Sequence, residues 1–200
     1  DSRDLDGDRF AWAHRALCRH GLRLRVDADA ASGEPVSVVL RHRPRMAVEA
    51  PMLVVDVQPG ARCVLLELHE HDTPAGALVQ NLDVHVLLGR GARLEHLRVV
   101  TPGADDRVAH RLHATLGEGA HYAQALVAGG SRYHLQRGEL QLAGVGATAR
   151  SSGALFAAGS AMEQQVHTRH AAARTTSAVE ALVLASGKAR GVANAFTRIE

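Results

Sequence analysis

Leu82-Asp83-Val84-His85-Val86-Leu87-Leu88-Gly89-Arg90-Gly91-Ala92 is the stretch that decides the fold. Its first seven residues put Leu82, Val84, Val86 and Leu88 on one parity, the mark of a strand with one buried face. Its last five residues are a phrase that recurs. The other copies are Val57-Gln58-Pro59-Gly60-Ala61, Leu116-Gly117-Glu118-Gly119-Ala120 and Ala143-Gly144-Val145-Gly146-Ala147. The second glycine falls at 60, 91, 119 and 146, so the steps are 31, 28 and 27 residues. A step of this size means stacked supersecondary units. Gly reaches positive φ without steric cost and turns the corner, and the small Ala fits where rungs stack closely.

Working outward, Val108, Leu112, Ala114 and Leu116 share one face, while Arg111, His113 and Thr115 share the other. Glu139-Leu140-Gln141-Leu142 is a shorter copy. Second strands follow the corners, over 92–100 and 120–127. Turn-rich segments at 72–76, 101–103 and 129–131 separate the units. One-faced strands at a regular step predict an all-β solenoid, a β-helix. Upstream, Asp6 to His20 reads as a helix capped by Asp6 or Asp8. Phe10, Ala13 and Leu17 form its apolar face, Trp12 packs with it, and Gly21 is its stop. The predicted organisation is a helical element over 1–21 and a β-helix core over 22–200.

Composition removes several function classes. The formal charge is +2 over 200 residues, with Lys188 the only lysine. The densest basic run, Arg41-His42-Arg43-Pro44-Arg45, has no interleaved aromatics and reads as a solvated loop, so no nucleic-acid partner is expected. Cys18 and Cys63 form no metal or redox motif. With no apolar run long enough for a membrane span, the expected location is the cytoplasm. The Gly phrases lack the Gly-Lys-Ser/Thr ending of a phosphate loop. No nucleophile-elbow serine is present, and Asp105-Asp106 reads as a solvated turn. Few carboxylates and aromatics are grouped as a sugar-cleaving β-helix requires, which leaves that class as the alternative, beside a structural remnant without partners.

Glu67-Leu68-His69-Glu70-His71 is the densest of the histidine groups. On a strand, Glu67, His69 and His71 share a face and are candidate ligands for zinc or ferrous iron, against a polar solvent-facing strand end. His110 and His113 differ in parity and do not converge, nor do Glu95 and His96. His167 and His170 also differ in parity.

The C-terminal sixty residues carry a resemblance. His167-Thr168-Arg169-His170-Ala171-Ala172 with Thr176-Ser177, then Ser186-Gly187-Lys188-Ala189-Arg190-Gly191-Val192 and Asn194, resembles the core of the SUF-system iron–sulfur cluster assembly family, SufB/SufD, with the closer likeness to SufD. Leu88 to His96 and the order of the N-terminal elements look similar too. The resemblance implies a right-handed parallel β-helix. It marks His167, His170, Ser177, Gly187, Lys188, Arg190 and Gly191 as family-motif positions. It further implies a non-catalytic scaffold that pairs with a SufB-like subunit and carries a SufC-like ABC ATPase. No cofactor is expected in the isolated chain, with iron or a transient iron–sulfur cluster held by the complex. The family's cluster-ligating and ATPase-docking segments would lie past Glu200, so the core reads as truncated, and its exposed β edge is expected to favour homo-oligomers. Where the family has Val-Phe-x-Gly, this chain has Val192-Ala193-Asn194-Ala195, and Phe196 is the expected replacement for the missing core aromatic.

Overall fold

A computed structural model describes residues 9–31, 33–42, 48–71 and 77–200. One helix, α1 (Arg9–Leu17), leads into strands β1 (Gly21–Val26), β2 (Val36–His42), β3 (Met52–Val57) and β4 (Arg62–His71). Next come β5 (Val79–Leu88), β6 (Arg93–Val100), β7 (Arg107–Leu116), β8 (His121–Gly129) and β9 (Tyr133–Leu142). The last are β10 (Thr148–Ala158), β11 (Ala161–His170), β12 (Thr176–Ser186) and β13 (Arg190–Ile199). Odd strands form one sheet in the order β1-β3-β5-β7-β9-β11-β13, and even strands form the other, β2 through β12. Every pairing is parallel. The chain is an all-β parallel solenoid of about six turns, as the repeat predicts.

The recurring phrase is the corner from an odd strand to the following even strand. In each copy the Ala N–H donates to the carbonyl three residues back, as in Ala61 to Gln58 and Ala92 to Gly89. The intervening second glycine has positive φ at Gly60, Gly91, Gly119 and Gly146. Two further corners use the same conformation without glycine, at Asp29 (φ 58°) and Arg174 (φ 57°). The corners hydrogen-bond to one another: Asp29 N–H to Pro59 O, Gly60 to Arg90, Gly91 to Glu118, Gly119 to Val145 and Gly146 to Ala173. The first glycine serves a different need. A Cβ on Gly144 would lie 2.0 Å from the Glu118 nitrogen, and one on Gly89 would lie 2.6 Å from the Pro59 nitrogen. The small Ala at each corner is fully buried.

Parallel register stacks like on like inside the solenoid. Val55, Val86, Ala114 and Leu140 are consecutive rungs of one column, and all are buried; in the column beside it Leu53, Val84 and Leu112 stack in the same way and continue to Gly138. The main apolar cluster fills the half of the lumen next to the Gly-Ala corners, where Val57, Ala61, Leu88, Leu116 and Leu142 meet. Each fully buried Leu contributes about 1.5–3 kcal/mol relative to exposure.

The N-terminal element differs from its expected form. The helix ends at Leu17, and Gly21 opens β1 rather than capping the helix. Asp6 and Asp8 lie outside the described residues. The buried face carries Ala11 and His14, not Ala13 and Leu17. The cause is polar anchoring: His14 Nε2–H donates to Pro51 O at 2.9 Å, and Asn81 Nδ2 donates to Phe10 O at 2.7 Å. These bonds lay the helix on the outside of β5. Trp12 consequently points to solvent, 54% exposed, with the Arg15 guanidinium over its ring.

The two glycine roles separate experimentally. Gly91→Ala meets open space and suffers only its positive φ, a cost of about 1–2 kcal/mol. Gly144→Ala drives a methyl into backbone and is expected to be the more destabilising in urea unfolding. Equal midpoints for the two variants would refute this assignment.

Candidate functional site

The other half of the lumen is polar. It is built by the middle and C-terminal parts of even strands, with Glu67, His69, His96, Arg98 and Gln124, facing the N-terminal halves of odd strands, with Gln80, His110, His134 and Gln136. All are buried, and Glu67 and His110 are 0% exposed. They occupy inward parity positions, between apolar residues such as Leu94 and Val100 on β6.

The centre is the Glu67 carboxylate. It accepts from His69 Nε2 at 2.6 Å, His96 Nε2 at 2.9 Å and Arg98 Nε at 3.0 Å. Glu67 and Arg98 are register partners on β4 and β6. From this centre the tautomers follow in sequence. His69 Nδ1 accepts from His42 Nε2 at 3.0 Å, and His42 Nδ1 accepts from the Gln80 amide at 2.6 Å. Gln80 Oε1 in turn accepts from His110 Nε2 at 2.5 Å, and His110 Nδ1 accepts from Gln136 Nε2 at 3.3 Å. Gln136 Nε2 also donates to His134, at 2.6 Å. On the other branch His96 Nδ1 accepts from the Tyr122 hydroxyl at 3.1 Å. In this arrangement each of these bonds has one donor and one acceptor, and the Arg98 guanidinium faces the Glu67 carboxylate.

Burial pushes the Glu67 carboxyl up, but Arg98 and the bonds from His69 and His96 outweigh it and hold it well below its usual range. Burial depresses His96, and depresses His110 strongly. Burial also raises Tyr122 and the Cys63 thiol, so both stay protonated. At the rim, burial raises Glu49, whose carboxyl lies 3.2 Å from His42 Nδ1.

Glu67 and His69 do share a face, but that face is the lumen, not a solvent-facing strand end. The side chain of His71 lies outside the described residues. Among the described residues no group of three or more His, Cys, Asp or Glu is arranged to hold a metal ion. His42, expected in a solvated loop, is buried in the lumen, and Arg41 pairs with Glu70 at 2.9 Å. Residues 43–45 lie outside the described set. His110 points in and His113 out, as parity predicts. Asp106 is no solvated turn residue: it is buried and accepts from the N–H groups of Leu78 and Gly103, both at 2.7 Å.

The family-motif positions are structural in their contacts. His170 Nδ1 donates to Thr175 Oγ1 at 2.7 Å, and its Nε2 accepts from Ser177 Oγ at 2.9 Å, which fixes the corner between β11 and β12. Gly187 has φ 64° at the β12–β13 corner with Lys188 beside it, and Arg190 N–H donates to Ser160 O. A Cβ on Gly191 would meet Val183 Cγ1 at 2.3 Å. His167 faces outward and stacks on Phe196 at 4.7 Å. Phe196 is therefore outside the solenoid, 52% exposed, and does not replace a core aromatic. On the same outer face Asp83 gathers Arg111 at 2.6 Å with His85 and His113 at 3.5 Å.

Sequence reading missed His42, Gln80, His96, Arg98, His110, Tyr122 and Gln136 as one chain. Parity placed several of them inward, but only the stacking register and the facing sheet bring them together.

The depressed histidines set a pH dependence. His96 and His110 bind protons less readily folded than unfolded, so stability is complete above their ordinary value of 6.5 and is lost as pH falls below it. Each contributes up to about 1.4 kcal/mol per pH unit. Glu67, also depressed, adds a second loss below 4.5. Thermal melts should fall steadily from pH 7 to 5, and His110→Gln should flatten that slope; a melting temperature constant over this interval would contradict the buried-imidazole chain. Glu67→Gln leaves the Arg98 charge buried and unpaired and should cost about 3–5 kcal/mol in denaturant unfolding.

The sequence matches a known family. The model of the SUF system FeS cluster assembly, SufBD core domain, matches residues 40–200. No curated protein matches the chain, and no solved structure matches it. The match runs from the end of β2 through β13 and takes in nearly all of the solenoid and its polar lumen: the chain belongs to the SufBD core family of SUF-system iron–sulfur cluster assembly.

Proposed function

We propose that this chain is a non-catalytic, SufD-like scaffold subunit of the SUF complex, acting with a SufB-like β-helix partner and a SufC-like ATPase. The observation that carries the reading is the family match over residues 40–200. Two features of the geometry support it. The lumen's ionisable groups are sealed, so Glu67, His96 and His110 meet one another and not an outside substrate. The outer face of the even sheet carries an apolar patch. Its central row runs Leu68, Val99, Val127, Ala154, Leu182 in register across five strands. Beside that row Leu97, Phe156 and Leu184 are exposed. A contiguous apolar surface of this kind suits a protein partner better than a small molecule. Iron and sulfide are cargo in this reading. The cytoplasm is the expected setting, and no helix among the described residues is long and apolar enough to cross a membrane.

Co-expression of this chain, in its natural full-length form, with a SufB-like subunit and a SufC-like ATPase from the same source tests the proposal. The expected result is one stoichiometric complex on size-exclusion chromatography, with ATPase activity confined to the SufC-like subunit. Elution of the chain by itself in the presence of both partners would reject the scaffold role. Glycan cleavage by the purified chain would reject the non-catalytic one.

A further inference from the structure

The lumen chain breaks at Arg98. Arg98 spends Nε on Glu67 and Nη1 on Gln136 Oε1, at 3.5 Å, while its Nη2 is buried without a hydrogen-bond partner. On β11, the Gln164 Oε1 is likewise buried and unpartnered. Both groups line one cavity of about 10 Å3, together with Gln124, Gln136 and Ser151. Gly153 keeps room for the Gln164 amide, since a Cβ there would lie 2.5 Å from Gln164 Oε1.

We propose that this cavity binds one water molecule, which accepts from Arg98 Nη2 and donates to Gln164 Oε1. Size sets the first constraint: a void of roughly 10–15 Å3 on this measure holds a single water. Chemistry sets the second. One orphan is a donor and the other an acceptor, so the occupant must both accept and donate. A halide cannot donate to Gln164, and a cation is repelled by Arg98. Charge sets the third. Glu67 already pairs with Arg98 at 3.0 Å, so no further anion is called for. Leaving both groups bare would carry the full desolvation penalty of each, which the water removes. The bound water joins the chain of β2 through β9 to β11.

A high-resolution crystal structure of the chain, with a parallel bromide soak, tests this. The expected result is one density peak within hydrogen-bond distance of both Arg98 Nη2 and Gln164 Oε1, without anomalous signal after the soak. Gln164→Met keeps the side-chain length and removes the acceptor, and should lose the peak. An empty cavity in the wild type, a bromide peak at this position, or a peak that persists in Gln164→Met would each overturn the proposal. Oxygen-17 relaxation dispersion of the same two proteins in solution gives an independent reading, with one fewer long-lived water expected in the variant; equal counts would overturn it.

Discussion

The structure depends on the corner-to-corner hydrogen bond. A parallel solenoid must return to the same point once per turn, with the same backbone conformation, or the next turn cannot stack. Here a left-handed residue in each corner donates its N–H to the corner above, from Asp29 to Gly146. The donor can point along the solenoid axis only if φ is positive, a conformation that glycine adopts freely and other residues adopt at a cost. Close approach then excludes a Cβ at the first glycine. Strand length, turn length and step are all subordinate to that contact, so the step can vary between 27 and 31 residues while the corner does not.

Once corners stack, side chains have no choice of neighbour. An inward residue sits above its equivalent in the previous turn, and a polar one must find its partner there or across the lumen. Glu67 finds Arg98 above it and two imidazoles beside it. A buried ion pair of this kind contributes little net stability over an apolar replacement, yet removal of one partner is severe. The chain of imidazoles and amides extends the same logic: each member is satisfied only because the next is in place, which ties successive turns into one register.

Much of the fold was legible because its two periods are independent. Parity gave the inward face of Leu82 to Leu88, and the glycine phrase gave the corners. Asp29 and Arg174 escaped because they adopt the corner conformation without glycine. The helix was misread because its attachment is polar, through His14 and Asn81, and an apolar stripe is no guide to such a face. The polar lumen was half visible. Glu67 and His69 share a parity, but sequence cannot say whether a polar face looks at water or at a second polar face, and here Gln80 and His110 come from the opposite sheet. Asp106 escapes for the same reason: a turn carboxylate becomes a buried cap when, beside the Gly103 N–H of its own loop, the neighbouring turn supplies the N–H of Leu78.

The division between inside and outside bears on how a SufBD-core protein can act. Inside, every turn is committed. The apolar half is closed by the alanine corners, and the polar half is engaged with itself. Outside, the two sheets differ. The odd sheet presents a mixed-charge face on which Asp83, Arg111, His113 and Glu139 pair with one another. Their bonds hold the Asp83 and Glu139 carboxyls below their usual range. Groups that satisfy each other in this way have little left to offer a partner. The even sheet presents rows of Leu, Val and Phe that nothing in the chain covers among the described residues. Apolar area in water is the larger source of association energy, whereas exposed ion pairs contribute about 0–1 kcal/mol each. The apolar area left uncovered therefore lies mainly on the even sheet, while the charges of the odd sheet are spent on one another.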